Sequence, residues 1–241
     1  MPPDPHHPAP AVRRLFSTIA GRYDLANHLL SAGLDFLWRR RAARLVRGWN
    51  PARILDLATG SGDLAIALRA ACPRSVVVGA DFCAPMLREA RRKGVRDLIA
   101  ADALRLPFGS AAFDALTVAF GLRNMESWPG ALAEMSRVLR PGGHLAVLDF
   151  SIPSAPLRWI YRPYLHFVLP RVAAILTGQK SAYEYLGASI ETFPCGSAMC
   201  ELIASAGFSG AACAPLSGGI VSLYSATRLA TADAERAPAF P

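Results

Sequence analysis

The chain has 241 residues, of which 52% are hydrophobic and 18% charged, and its formal net charge is +8. This length and composition describe a globular protein with a sizeable core and exclude a disordered chain. No run reaches the roughly 18 uncharged apolar residues of a membrane-spanning helix. A basic surface favours anionic lipid, nucleic acid or acidic substrates, but an arginine-rich solvated surface explains the charge equally well.

The cysteines are scattered, without a C-x-x-C pair or a matching histidine spacing. They are Cys72, Cys83, Cys195, Cys200 and Cys213. This pattern predicts neither a metal site nor a disulfide framework and fits a reducing compartment. We therefore expect a cytoplasmic protein without a bound metal.

In chain order, the first segment is a tail. Residues 1–11 are rich in proline and lack an apolar period, and residues 229–241 have a similar character, so both are predicted to be disordered. Residues 12–49 have helical spacing and precede the first strand. The sequence predicts one domain over residues 12–228.

Strand-like and helix-like segments then alternate. The predicted strands are short apolar runs at 53–57, 76–80, 112–120, 145–150, 211–214 and 220–226, with one more ending before residue 102. Helical spacing lies between the first five, and Pro141-Gly142-Gly143 is expected to stop the helix before residue 145. This rhythm predicts an α/β fold with a doubly wound, mostly parallel sheet of seven strands.

An apolar and aromatic insertion interrupts the alternation at residues 155–192. Pro163 and Pro170 break its central part. Open α/β sheets bind ligands at the carboxyl ends of their strands. We expect this helical insertion to form a lid over that edge.

The segment after the first strand carries the main functional signal. Gly60 and Gly62 match the G-x-G-x-x-A pattern of a tight strand-to-helix turn, which dinucleotide-binding enzymes share. Asp56 and Asp63 flank this turn, and acidic side chains there would repel a pyrophosphate. S-adenosylmethionine has no phosphate but carries a cationic sulfonium and an ammonium group, so the sequence favours this cofactor.

Two further acids follow later strands. Asp81 ends the second strand, where a carboxylate can accept hydrogen bonds from both ribose hydroxyls, and Phe82 beside it can cover the adenine. Asp102 and Ala103 follow the third strand, where an acceptor and a backbone N–H can read the adenine edge. In this order, the acids reinforce the prediction of an S-adenosylmethionine site.

The segment after the fourth strand indicates the methyl acceptor. It reads FGLRN at residues 120–124 and lacks the Asn/Asp-Pro-Pro-aromatic loop of enzymes that methylate exocyclic amines. Together with YDLAN at 23–27, RVLRPGG at 137–143, LDFS at 148–151 and YEYL at 183–186, it resembles the quinone-biosynthesis C-methyltransferases. The resemblance spans nearly all of residues 12–224.

The resemblance implies the fold of the class I S-adenosylmethionine methyltransferases. It also implies methyl transfer to a ring carbon of demethylmenaquinol, or of its ubiquinone-pathway counterpart. The family's cofactor contacts fall on Ser61, Asp81, Asp102 and Ala103, beside Gly60 and Gly62 of the loop. Asp35 stands where the family usually has His, and Asp149 where it has Glu.

The acceptor chemistry requires a deprotonated hydroquinol, and Arg123 is our candidate to stabilise the phenolate. An ion pair between Arg123 and an acid such as Asp149 is an equally good reading. His166, Tyr23, Asp149 and the pair Tyr183 and Tyr185 are unranked candidate proton acceptors.

The expected partners are an isoprenoid quinol and an anionic membrane surface at the inner face of the cytoplasmic membrane, with a homodimer as a further expectation and no nucleic acid. Two alternatives stay open: a related small-molecule methyltransferase of secondary metabolism and an RNA-directed methyltransferase.

Overall fold

The computed structural model describes residues 31, 33–168, 171 and 180–230. The strands within this part of the chain are β1 Arg53–Leu57, β2 Val76–Asp81, β3 Leu98–Ala100, β4 Phe113–Ala119, β5 Leu139–Phe150, β6 Phe208–Leu216 and β7 Val221–Arg228. The α-helices are α1 Leu34–Gly48, α2 Asp63–Ala71, α3 Ala84–Arg92, α4 Trp128–Val138, α5 Leu157–Pro163, α6 Lys180–Thr192 and α7 Ser197–Ser205. Both predicted tails and the predicted helical residues 12–30 lie wholly or mainly outside the described residues.

The seven strands form one sheet in the order β3-β2-β1-β4-β5-β7-β6. All neighbouring pairs from β3 to β5 are parallel, and β7 runs antiparallel to both of its neighbours. The strand order reverses between β1 and β4, the position where doubly wound sheets bind their ligands. The predicted doubly wound, mostly parallel sheet is confirmed.

Apolar layers cover both faces of the sheet, and this explains the continuous apolar runs of its central strands. One layer packs α4 and α7 against the sheet through residues such as Leu132, Met135 and Ile203. The other packs α1 and α2 through residues such as Val46 and Leu68. The two layers bury β1 and β4 at the centre of the sheet.

The start of β5 differs from the prediction. Helix α4 ends at Val138 as expected, but β5 begins at Leu139 and includes the Pro-Gly-Gly segment instead of starting at residue 145. Leu139 pairs with Phe113 of β4, and the register shifts before the next pair. Gly142 has φ 73°, so it adopts a left-handed conformation that absorbs the extra residues of this irregularity.

The predicted insertion is helical where it is described. Helix α5 continues into a π-helical turn at Tyr164–Val168, and α6 returns towards the sheet. Tyr161, Leu165 and Ile190 form a small buried cluster between these helices. In the described part of the chain, no helix has the length and hydropathy needed to cross a membrane.

Candidate active site

A cleft opens at the reversal of strand order, at the carboxyl ends of β1 and β4. Its lining includes Arg39 of α1, residues 58–61 after β1, residues 81–83 after β2 and residues 119–121 after β4. It contains about 680 Å³ of space between protein atoms, part of which is open to solvent.

The glycine loop makes the turn from β1 into α2. Gly60 and Gly62 have φ values of 56° and 89°, which L side chains rarely adopt. A Cβ on Gly62 would lie 2.8 Å from Cγ2 of Val95, so this glycine also lets α2 approach the end of α3. Gly60 and Ser61 line the cleft, whereas Gly62 does not, and the predicted contact of Gly62 with the cofactor stays a prediction.

Asp56 lies at the base of the cleft and is 1% exposed. Its carboxylate accepts hydrogen bonds from the hydroxyls of Thr59 (2.6 Å) and Thr117 (2.7 Å). Burial raises the pKa of Asp56 to about 6, against the opposing effect of these two hydrogen bonds. A cation bound in the cleft would therefore favour the ionised form of Asp56.

Asp81 links the glycine loop to the end of β2. Its Oδ2 accepts a hydrogen bond from the backbone N–H of Gly60 (2.8 Å), and its Oδ1 accepts one from Cys83 (2.8 Å). Burial raises the pKa of Asp81, and these backbone donors oppose the shift. Because each carboxylate oxygen has two lone pairs, both oxygens can also accept a ligand hydroxyl.

Asp63 also lines the cleft, but a cation neutralises it. Lys93 Nζ lies 2.7 Å from Asp63 Oδ1 and donates to Ser61 Oγ at 3.2 Å, and Arg39 Nη2 lies 3.9 Å from Asp63 Oδ2. From the sequence, Asp56 and Asp63 together predicted a cationic ligand. In the structure the two acids differ. Asp63 pairs with Lys93, whereas no cation of the described residues lies within salt-bridge distance of Asp56.

Asp102 and Ala103 do not line the cleft as it stands. Asp102 is exposed, and its Oδ1 accepts a hydrogen bond from the backbone N–H of Leu104 (2.9 Å). The segment nevertheless continues from β3 beside Asp81, because Ala101 N donates to Asp81 O at 3.0 Å. The assignment of Asp102 and Ala103 to the adenine edge stays a prediction.

Three rings, Trp38, Phe120 and Phe150, form an aromatic wall beside the cleft. The Phe120 and Phe150 centroids lie 4.8 Å apart, and Trp38 lies within 6.3 Å of both. Phe120 has a φ of 57° and Ala58, across the cleft floor, has a φ of 51°. Such left-handed backbone in residues other than glycine is strained and concentrates at functional sites.

Gly121 lets these two strained turns approach each other. A Cβ on Gly121 would lie 2.5 Å from the Cβ of Ala58, closer than any real contact. The cleft floor therefore depends on glycine at position 121.

Arg123 forms the buried ion pair that was the alternative reading of this residue. Its Nη1 donates to Asp149 Oδ1 (2.6 Å) and to the carbonyl of Phe120 (2.7 Å), and its guanidinium lies 5.2 Å from the Phe150 centroid. Neither Arg123 nor Asp149 lines the cleft. Burial raises the pKa of Asp149, and Arg123 opposes this shift. Arg123 thus fixes the position of the aromatic wall, and its contact with a phenolate stays a prediction.

The structure describes only some of the candidate proton acceptors. The Nε2 of His166 lies 3.1 Å from Glu191, on the exposed side of the insertion. Tyr161, which was not among these candidates, lies on the inner side of α5, and burial raises its pKa, so its phenol stays protonated at neutral pH. Tyr23 and the side chains of Tyr183 and Tyr185 lie outside the described part of the chain.

The family model of the ubiE/COQ5 methyltransferases matches residues 6–228. The chain belongs to this family. It is 51% identical over 201 residues to a demethylmenaquinone methyltransferase of Thermus thermophilus, covering 81% of this chain and 91% of the relative. It is 43% identical over 234 residues to the ubiquinone/menaquinone biosynthesis C-methyltransferase UbiE of Syntrophotalea carbinolica, covering 95% and 98%.

Solved structures confirm the fold of this ubiE/COQ5 family member. An S-adenosylmethionine-dependent methyltransferase from Thermotoga maritima superposes with a TM-score of 0.66 at 18% identity, over 90% of this chain and 99% of that one. Human N-acetylserotonin methyltransferase, solved with S-adenosylmethionine, superposes with a TM-score of 0.61 at 16% identity, over 90% and 59%. The chain is a methyltransferase of the ubiE/COQ5 family, and it has the fold of the class I S-adenosylmethionine methyltransferases that the sequence predicted.

Arg39 is the cleft residue that sequence reasoning missed. It is one of five arginines at positions 39–47, yet its guanidinium lies 5.3 Å from the Phe120 centroid and pairs with the buried Asp35. The available signal was its place one residue after Trp38, on the inner side of α1. Arg40 and Arg41 of the same helix are exposed.

Proposed function

We propose that this ubiE/COQ5 family member transfers the methyl group of S-adenosylmethionine to a ring carbon of demethylmenaquinol, giving menaquinol. Relatives named demethylmenaquinone methyltransferase, at 51% and 45% identity, support this substrate. The observation that carries the proposal is the cleft itself, because buried acids line one side and the aromatic wall borders the other.

The side chains that line the cleft fit S-adenosylmethionine better than a dinucleotide. Asp56 and Asp81 supply buried carboxylates for a cation and for ribose hydroxyls, and Phe82 supplies an apolar face for the adenine. Gly60 and Ser61 bring backbone close to the ligand. When bound, this cofactor supplies an electrophilic methyl group on its sulfonium.

We assign the carboxylate of the methionine moiety to Arg39. An α-amino acid carries both charges, so its recognition requires a cation as well as the acids of the cleft. Arg39 is a cation in the cleft lining, and Asp35 holds its guanidinium against the face of Phe120. A guanidinium has five N–H donors, so this pairing leaves donors for a second carboxylate.

On the acceptor side, the aromatic wall provides an apolar surface for a quinol ring. Arg123 lies directly behind that wall and is held there by Asp149. Although Asp149 offsets its charge, the guanidinium faces the Phe150 ring, and its proximity lowers the energy of a phenolate at the wall because the surroundings are shielded from water. The protein thereby makes the ring carbon more nucleophilic without itself reacting.

This role of Arg123 is separable from a purely structural one. The pH profile of kcat should shift upward in R123M, because the phenol then ionises at higher pH, and R123K should restore part of the shift. A variant that loses activity equally at every pH would contradict the assignment and leave Arg123 as a structural residue.

The activity itself is tested with purified protein, S-adenosylmethionine and demethylmenaquinone reduced in situ. We expect a product that carries one additional methyl group and S-adenosylhomocysteine in equal amount. The matched control is the unreduced quinone, which lacks the electron-rich ring and should not react. Failure with the quinol while S-adenosylhomocysteine still binds would refute the acceptor and not the cofactor.

A second acceptor is favoured by one relative. The Syntrophotalea carbinolica protein bears a name that covers both the ubiquinone and menaquinone pathways. The ubiquinone-pathway benzoquinol in the same assay separates the two acceptors. In cells, the quinone precursor that accumulates when the protein is removed should be demethylmenaquinone.

The location follows from the substrate. An isoprenoid quinol resides in the bilayer, so we infer that the protein acts peripherally at the inner face of the cytoplasmic membrane. A homodimer stays a prediction, and light scattering at assay concentration measures it.

A further inference from the structure

The insertion exposes an unusual set of large apolar side chains. The outer patch comprises Trp159, Ile160, Phe167 and Val168, which are 73%, 72%, 61% and 47% exposed. They lie on α5 and the π-helical turn that continues it. Exposed apolar residues are common singly, but a cluster of this kind marks a surface that contacts something apolar.

The opposite side of the same helical segment packs against the enzyme. Tyr161 and Leu165 are 7% and 2% exposed and contact the partly buried Phe150 of the aromatic wall. The outer patch is therefore not the result of a poorly packed helix. One side of the segment is used by the core next to the active site, and the other side is left to solvent.

Positive charge surrounds the outer patch. Arg158, Arg162 and Arg171 are all exposed, and the guanidinium of Arg171 lies 5.9 Å from the Phe167 centroid. Glu191 pairs with Arg162 at 3.3 Å, and its own side chain is 28% exposed. Trp and Phe beside arginines are the combination that binds at the headgroup level of an anionic bilayer, because rings enter the acyl boundary while guanidinium groups meet phosphates.

We propose that the outer patch inserts into the surface of an anionic lipid bilayer and places the active-site cleft next to it. This location is more specific than a general basic surface, since it excludes the arginines of α3. The proposal rests on the proposed function in one respect: the benefit of docking is access to a quinol that resides in the bilayer. The docking itself is measured without any quinol.

The test is co-sedimentation of the full chain with vesicles. We expect binding to vesicles of phosphatidylcholine mixed with phosphatidylglycerol, and much weaker binding to phosphatidylcholine alone. W159S/F167S should weaken binding at least about tenfold, since it removes two ring systems from the acyl boundary. R158Q/R162Q should weaken binding about fivefold for each arginine, and added salt should reduce this difference.

The matched control removes the same charge elsewhere. Arg91 and Arg92 are exposed on α3, which packs against β2 and β3 at the far end of the strand order. R91Q/R92Q should bind vesicles nearly as wild type does. Equal losses in R91Q/R92Q and R158Q/R162Q would overturn the proposal in favour of diffuse electrostatic binding.

Two further outcomes would also overturn it. Wild-type binding by W159S/F167S would show that the rings do not enter lipid. A wild-type dimer that this variant converts to a monomer, with vesicle binding unchanged, would identify the patch as a contact between two copies of the chain.

Activity measurements distinguish failure of docking from failure of the proposed function. W159S/F167S should methylate a quinol with a truncated, water-soluble side chain at the wild-type rate, but a long-chain quinol in vesicles more slowly. If wild type binds vesicles and methylates neither quinol, the docking proposal stands and the proposed acceptor is wrong.

Discussion

Replacing Arg39 with methionine should selectively weaken recognition of the amino-acid part of the cofactor. Arg39 lies in the cleft lining, its side chain is 13% exposed, and its guanidinium is positioned by Asp35 and Phe120. A hydrogen bond between charged groups contributes about 1.5–3 kcal/mol. We therefore expect R39M to raise the Kd of S-adenosylhomocysteine about 10- to 150-fold.

The assay is calorimetric titration with two ligands. S-adenosylhomocysteine carries the carboxylate, whereas 5′-methylthioadenosine lacks the whole amino-acid part. R39M should leave the Kd of 5′-methylthioadenosine nearly unchanged. R40M is the matched control, because Arg40 is the next residue of the same helix and is exposed.

A complication is that R39M leaves Asp35 without its arginine, and Asp35 is 3% exposed. Ser31 Oγ still donates to Asp35 at 2.8 Å, but the loss of an ion pair partner destabilises a buried carboxylate. R39M/D35N removes that charge as well and should bind both ligands as R39M does. Equal weakening of both ligands in R39M/D35N would refute the assignment and make Arg39 a structural residue of α1.

Three further predictions concern the cleft and its support. Asp56 has its pKa raised to about 6, so its contribution to stability is present below the unfolded value near 3.8 and is lost as pH rises through about 6. In urea unfolding, the D56N variant should lack this part of the pH dependence of the unfolding free energy. The affinity of wild type for S-adenosylhomocysteine should increase between pH 5 and 7 as Asp56 ionises, and the affinity of D56N should not. G121A should lower the unfolding free energy by about 1–3 kcal/mol because the added methyl overlaps a neighbour, whereas G109A, which meets no atom within 4 Å, should not. R123M should destabilise the protein by about 3–5 kcal/mol because it strands a buried carboxylate, and R123M/D149L should recover most of this loss; an equally unstable double variant would contradict that reason.

The positions of the strands could be predicted because burial on both faces leaves a signal in the local sequence. The continuous apolar run at 76–80 and the acid that ends it at Asp81 both depend on neighbours within the same strand. The end of α4 could be predicted too, because this helix stops at Val138, shortly before Pro141. The start of β5 was wrong because pairing with β4, rather than local propensity, extends this strand back to Leu139.

The charge arrangement of the site could not be predicted in the same way. The sequence predicted Asp63 as a ligand for a cation. Its partner Lys93 lies thirty positions later in the sequence and reaches Asp63 only in the folded chain, so the sequence does not reveal this ion pair. By contrast, the ion pair of Arg123 with Asp149, 26 positions apart, was one of the two roles that the sequence predicted for Arg123, and the pairing of β4 with β5 brings these residues together. The sequence shows which charged residues lie near the glycine loop, but it does not show which of them form ion pairs with one another.

The ion pairs around the glycine loop bear on which cofactor the cleft can bind. A loop flanked by two free carboxylates would select a cation by charge alone and would bind any small cation comparably. Here Lys93 compensates Asp63, and Arg39 adds a positive group to the same cleft, so the site presents separated charges of both signs. Separated charges match a zwitterionic amino-acid moiety beside a sulfonium, and at the base Asp56 has no cation of the described residues at salt-bridge distance, although the charge of Arg39 still acts on it. We therefore expect selectivity for S-adenosylmethionine to depend on the placement of these charges and not on their sum.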